Sequence, residues 1–188
     1  MSLVYISTAT ASGSASLDIT SGIDATYNEY QFHFVNIHAQ TLHANFQFQV
    51  NASDDEGGDF DTSLITSTFF RTYQGESADP GDASYKTDRD QGQAAGYQDL
   101  SYAIDQDEDD ESLAGMLTLY APASTTYVKH FTSRTNANHH SSEYSLECHT
   151  AGYINTGDPA DQPAITEIRF RFHTGNIDAG KIHMYGVG

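Results

Sequence analysis

Eight residues near the C-terminal end, Gly175 to Ile182 (GNIDAGKI), come within one residue of the phosphate-binding pattern G-x-x-x-x-G-K-[ST]. Ile182 stands where that pattern needs a magnesium-binding hydroxyl, and only six residues follow it, too few for the helix whose N-terminus would meet the phosphates. The segment reads instead as a β-hairpin with Thr174–Ala179 as its connection, carrying Phe170/Phe172 and Ile182/Met184 into one core. Two acidic clusters, Asp54, Asp55, Glu56, Asp59, Asp61 and Asp105, Asp107, Glu108, Asp109, Asp110, Glu111, hold eleven of the 26 acids. They suggest calcium, but counting from Asp105 the position that requires Gly is Asp110 and the one that requires Glu is Met116. Solvated acidic turns, with at most a weak dependence of stability on divalent cations, are the expectation.

Nine histidines raise the question of metal or acid–base work. His33, His38 and His43 are five apart, a spacing that alternates the strand face, and His139-His140 and Cys148-His149 are adjacent pairs that point opposite ways in an extended chain. Neither H-x-x-x-H nor H-E-x-x-H occurs. G-x-S-x-G is absent, and the lone Cys148 sits beside Leu146 on an apparent strand, the setting of a buried structural thiol. With one cysteine there is no internal disulfide and no CxxC redox pair. Acids paired for glycoside hydrolysis are not identifiable from a count. No catalytic, cofactor-binding or metal-ligating residue is therefore assigned, no cofactor is expected, and the chain reads as a non-enzyme.

What would position any such residues is a set of strands. Period-two alternation recurs along the chain while helical periodicity is hard to find. Tyr30, Phe32 and Phe34 alternate with Gln31 and His33; Phe46, Phe48 and Val50 with Gln47 and Gln49; Ile168, Phe170 and Phe172 with Arg169, Arg171 and His173; Leu113, Leu117 and Leu119 share one parity with Gly115. Further strands are expected near Val4–Thr8, Ala15–Ile19, Leu64–Tyr73, Gln98–Ile104, Tyr127–Arg134, Tyr144–Asn155 and Gly180–Val187. About ten strands in 188 residues favour one all-β domain, 1–188, built as a single two-sheet antiparallel β-sandwich. Long polar loops join them, and Gln74–Gly96 (74–96), rich in turn residues and poor in aliphatics, is expected to run over the surface. No fixed-period repeat and no heptad pattern occur.

Eight Lys and Arg against 26 Asp and Glu give a net charge of −18, a field that repels phosphate backbones and anionic headgroups. Neither nucleic acid nor a membrane is an expected partner. No apolar run reaches the length of a membrane helix, and the opening MSLVYISTATASGSAS lacks the basic and apolar regions of a cleaved export signal. Synthesis in a cytoplasm follows as the expectation, and Asn51-Ala52-Ser53 then reads as a chance match to the glycosylation pattern. Twelve Tyr and ten Phe supply the burial that order requires.

Four blocks carry a resemblance: Thr8 to Ile37, Phe46 to Asp61, Glu111 to Phe131 and Ala164 to Gly188, together about half the chain. Their aromatic Y-x-x-Y-x-F strand, acidic Gly-Gly turn, G-x-L-x-L strand and closing I-x-x-I-R-F-x-F-x-x-G-N-I-x-x-G segment ending in Tyr-Gly resemble small virion proteins of tailed bacteriophages, especially those of marine and freshwater hosts such as cyanophages. The resemblance implies a jelly-roll type of β-sandwich displayed in the tail, its fibres or as a capsid decoration protein, with no catalytic residues. The localisation it implies is the virion, assembled in the host bacterial cytoplasm. The partners it implies are other virion proteins; further copies of the chain, a homotrimer being favoured, are expected because exposed sheet edges need covering. Arg169 and Arg171 are expected on the wet face of their strand, placed either for a neighbour's acids or for acids on the adjacent strand of the same chain. The second reading is a glycan-binding adhesin module for a host surface sugar, with Tyr73, Tyr85 and Tyr97 as the stacking candidates.

Overall fold

The computed structural model describes residues 2–53, 60, 63–76, 81–104, 111–139, 144–158 and 160–188, and among these there is no helix. Thirteen strands are present: β1 (Leu3–Ser14), β2 (Leu17–Ile19), β3 (Glu29–Ala39), β4 (Phe46–Ala52), β5 (Leu64–Gly75), β6 (Asp82–Tyr85), β7 (Gly92–Ala94), β8 (Gln98–Asp99), β9 (Leu113–Tyr120), β10 (Lys129–His139), β11 (Tyr144–Asn155), β12 (Ile165–Phe172) and β13 (Ile177–Val187). They form two antiparallel sheets. The nine-stranded sheet runs β1-β13-β3-β9-β10-β11-β5-β6, with β7 also on β5, and the four-stranded sheet runs β2-β12-β4-β8. This is the all-β, two-sheet sandwich that the alternating runs predict.

The core lies between the sheets. Tyr30, Phe32 and Phe34 of β3, Leu117 and Leu119 of β9, Phe131 of β10 and Ile182 and Met184 of β13 face Phe46, Phe48 and Val50 of β4 and Ile168, Phe170 and Phe172 of β12, all buried. A side-chain period of two fixes which residues enter the core, so one inserted residue must shift the phase. That happens in β3, where the pairings with β9 and β13 slip around Val35 and Asn36. Asn36 takes φ 50°, and Phe34 and Ile37, an odd distance apart, both point inward. Gly180 faces this bulge at φ 122°, where an added Cβ would lie 2.5 Å from the Asn36 carbonyl oxygen.

The closing segment is not a hairpin. β12 and β13 belong to different sheets, so residues 173–176 cross from one layer to the other. Phe170/Phe172 and Ile182/Met184 do enter one core, from opposite sides. Gly175 turns the chain at φ 70° against Thr41, whose hydroxyl leaves no room for a Cβ. The distinction is invisible to periodicity, because a tight turn and a layer crossing both separate two alternating runs by a few polar residues.

Residues 81–96 stay exposed or half-buried, as expected of a surface excursion, yet they add β6 and β7 to the edge of β5. The strand expected at Gln98–Ile104 shortens to β8, after which Ile104 makes an isolated bridge to Ala44. Beneath this region Phe69, Leu146 and Cys148 form a second small cluster, covered by Tyr73 and Tyr102.

Candidate functional site

The nine-stranded sheet ends on β1, whose only strand neighbour in that sheet is β13. Among the described residues, no strand lies beside the N–H and C=O groups on the opposite side of this twelve-residue strand. Edge strands are normally kept short or guarded by charge and proline, because an open ladder is a template for another chain. The other edges conform: β6 has four residues, β2 three and β8 two. β1 does not. It has no charged residue and no proline, the first charge of the chain being Asp18, and its one guard is a bulge between Tyr5 and Ser7. Leu3, Val4 and Tyr5 are 51%, 40% and 59% exposed, the densest run of large apolar side chains on the described surface.

The outward face of the same sheet is lined by a row of register neighbours crossing eight strands: Thr8, His183, His33, Met116, Arg134, His149, Phe70 and Tyr85. The Thr8 hydroxyl meets His183 Nδ1 at 2.7 Å, His33 Nε2 meets the Gln31 amide oxygen at 3.0 Å, and the His149 ring stacks on Phe70 at 4.9 Å. Arg134 is paired with Glu147. Burial, and then the neighbouring His183, holds the pKa of His33 below the usual imidazole value. The unfolded chain takes up that proton near pH 6.5 while the folded one resists it, so stability is present above about pH 6.5 and is lost as pH falls below it. Urea midpoints at pH 7.5 and 5.5 are expected to differ less for His33→Gln than for the wild type; an unchanged difference would remove His33 from this role.

The three tyrosines proposed for sugar stacking do not share a surface. Tyr85 lies on the outward face, 54% exposed, its hydroxyl on Asp90. Tyr73 is on the inward face, its ring 4.8 Å from Tyr144 and packed on the small cluster. Tyr97 lies beneath Arg171, whose guanidinium carbon is 3.5 Å from the ring centroid. Arg169 takes the same-chain alternative: Nε and Nη2 donate to the Asp18 carboxylate at 2.8 and 2.6 Å, across the β12–β2 register, and its guanidinium covers Phe60 at 4.2 Å. It is therefore not free to meet a neighbour's acid. Burial raises the Asp18 pKa, but the Arg169 and Ser16 hydrogen bonds and the Arg169 charge outweigh it and leave that pKa lowered.

Cys148 is buried, and desolvation pushes its thiol up to about 12, so it stays protonated. Asn51 is buried in β4 and donates to Glu167 at 3.0 Å. His38 approaches Asp178 at 3.7 Å, and the His43 and His139 rings lie 6.3 Å apart. Among the described residues no three His, Cys, Asp or Glu side chains gather as metal ligands, and no helix is long and apolar enough to cross a membrane. The acidic clusters, apart from the buried Glu111, and His140 lie outside the described residues.

Two features escape a reading of the sequence. The β1 edge leaves a signal, the absence of charge from residue 1 to 17 in a chain of net charge −18. The other, a convergence of Arg71, Lys86 and Arg89 on Tyr102, leaves none, because it joins β5, a turn after β6 and the residues after β8.

No protein-family model matches the chain, and no curated protein matches it. Among solved structures, a structural-genomics protein of unknown function from Bacteroides ovatus is similar over 77% of this chain and 46% of its own, at 6% identity and a TM-score of 0.21. The chain thus spans less than half of that protein, and a likeness of this size carries no argument about fold or function.

Proposed function

We propose that this chain is a non-enzymatic structural component of a bacteriophage virion, seated in the tail or its fibres, that works by joining copies of itself and other virion proteins. The resemblance of the four sequence blocks supports the virion setting. The observation that carries the assembly role is the β1 edge: twelve residues long, uncharged, free of proline and flanked by exposed Leu3, Val4 and Tyr5. An adjoining subunit covers such an edge by continuing the ladder. When the surface on the second subunit differs from the first, repeated contacts close as a ring where the rotation between subunits divides a full turn, and a trimer is the assembly proposed.

Multi-angle light scattering at high micromolar concentration is expected to give about three times the 20.6 kDa of the single chain. Val4→Lys combined with Ser12→Lys, which puts two charges on the open edge, is expected to give a monomer with an unchanged far-ultraviolet spectrum. A wild type that stays monomeric, together with its absence from purified particles by mass spectrometry, would overturn the proposal. Copy number in those particles separates the tail, with few copies in threefold multiples, from the capsid surface, with hundreds.

A further inference from the structure

Three of the eight basic residues in this strongly acidic chain meet at one aromatic ring. The guanidinium carbons of Arg71 and Arg89 lie 4.0 and 5.2 Å from the Tyr102 centroid, and Lys86 Nζ lies 4.9 Å from it. Since all three surround one centroid, no two charges are more than about 10 Å apart, close enough to repel. The ring's π electrons attract the cations without neutralising them. Arg89 has carboxylates, Asp99 at 3.2 Å and Asp88 at 3.3 Å. Among the described residues neither Arg71 nor Lys86 has one within 4 Å.

The remaining surroundings do not supply Arg71 Nε–H with an acceptor. Cys148, the register partner of Arg71, is a protonated thiol. Asp90 keeps its charge, but both its oxygens already accept, one from the Tyr85 hydroxyl and the other from the Phe69 amide. Arg71 Nε is buried and has no hydrogen-bond partner, an orphaned donor on a charged group. The backbone around the cluster is held in place: Lys86 N–H donates to Phe69 O and Arg89 N–H to Lys86 O, each at 2.9 Å.

We propose that Arg71, Lys86 and Arg89 around Tyr102 form a binding site for a single oxyanion, a carboxylate, sulfate or phosphate group. Such a group brings the acceptor that Arg71 Nε–H lacks and offsets the charges of Arg71 and Lys86, which Asp88 and Asp99 leave unpaired. The net charge of −18 narrows the ligand further. A polyanion is repelled by the whole surface, whereas one oxyanion at the cluster is drawn by Arg71 and Lys86, which have no carboxylate within 4 Å among the described residues. This inference is independent of the virion reading, and either can fail without the other.

The test follows the Arg71 Nε–H resonance of the full-length, nitrogen-15-labelled protein while sodium sulfate replaces sodium chloride at constant ionic strength. A saturable downfield shift is expected. Lys86→Gln is expected to weaken it about fivefold or more, while Lys86→Arg restores it. Arg134→Gln, the same loss of charge on the opposite face, is expected to leave it within about twofold. A sulfated oligosaccharide that binds more tightly than inorganic sulfate, when its unsulfated counterpart does not bind, places the oxyanion on a saccharide; the reverse order makes it a free anion. The site is overturned if no saturable shift appears, if Lys86→Gln and Arg134→Gln weaken binding equally, or if the shift appears only after Asp107, Glu108, Asp109 and Asp110 are changed to their amides.

Discussion

Replacing Phe170 by alanine will lower the stability of the domain by about 3–5 kcal/mol. Phe170 is fully buried in β12, and its ring centroid lies 5.7 Å from Phe32, 5.3 Å from Phe34 and 5.8 Å from Phe46. Phe32 and Phe34 belong to the nine-stranded sheet, while Phe46 and Phe170 belong to the other. One side chain thus fills the space where the layers meet, and its removal loses both transfer free energy and contacts that facing strands cannot close up to recover. Urea denaturation is the measurement, with the slope unchanged and the midpoint lowered. Phe70→Ala is the matched control. That ring is on the outward face, 44% exposed, and its loss is expected to cost below about 1 kcal/mol. Equal losses at the two positions would mean that the layers do not face each other through Phe170.

Lys129→Met will be the second large loss, about 3 kcal/mol or more, for an electrostatic reason. Lys129 opens β10 and is fully buried. Its ammonium donates to Thr156 Oγ1 at 2.7 Å, to Gln162 O at 2.9 Å and to Pro163 O at 2.6 Å. The buried Gln162 works from the other side, its amide donating to Asn155 Oδ1 at 2.8 Å and to the carbonyls of Gly157 and Asp158 at 2.9 Å each. Methionine keeps the length of the side chain and removes its three donors, so Gln162 O and Thr156 Oγ1 lose the ammonium they accept from, while Pro163 O keeps the Thr156 hydroxyl at 2.7 Å. Amide hydrogen exchange is expected to rise across residues 155–163 well beyond its rise elsewhere. Lys181→Met, on an exposed lysine, is expected to leave both readouts unchanged. A destabilisation with no preference for residues 155–163 would show that Lys129 acts through general packing.

Much of this architecture is legible in the residues. The alternation of Phe46, Phe48 and Val50, of Phe170 and Phe172, and of Leu117 and Leu119 names strands and inward faces correctly, because a half-buried strand writes its period into the sequence. Where the rule bends, as at Asn36, the reading stops early: the alternation from Tyr30 to Phe34 ends at a bulge, and β3 runs on to Ala39 in a new phase. β6 and β7 escaped because short edge strands among Gly, Asp and Ser carry no buried face to reveal them. The sheet to which β13 belongs is a property of the whole topology, and nothing local to GNIDAGKI distinguishes a turn from a crossing. The candidate surfaces divide similarly. An uncharged edge is visible as missing charge, whereas Arg71, Lys86, Arg89 and Tyr102 become neighbours only through β5, β6 and β8.

Leu3 pairs with Val187, and among the described residues β13 is the strand that holds β1 in the large sheet. During synthesis the ribosome therefore releases β1 long before the strand that receives it has been made. Until then its twelve residues have no native seat in the large sheet, and the chain must close a loop from Ser14 to Ile177 before they acquire one. The open edge that would join one subunit to the next consequently does not exist on a nascent or half-folded chain. Timing supplies a checkpoint that no side chain encodes: β1 becomes an ordered edge only after β13 has been made and has paired with it.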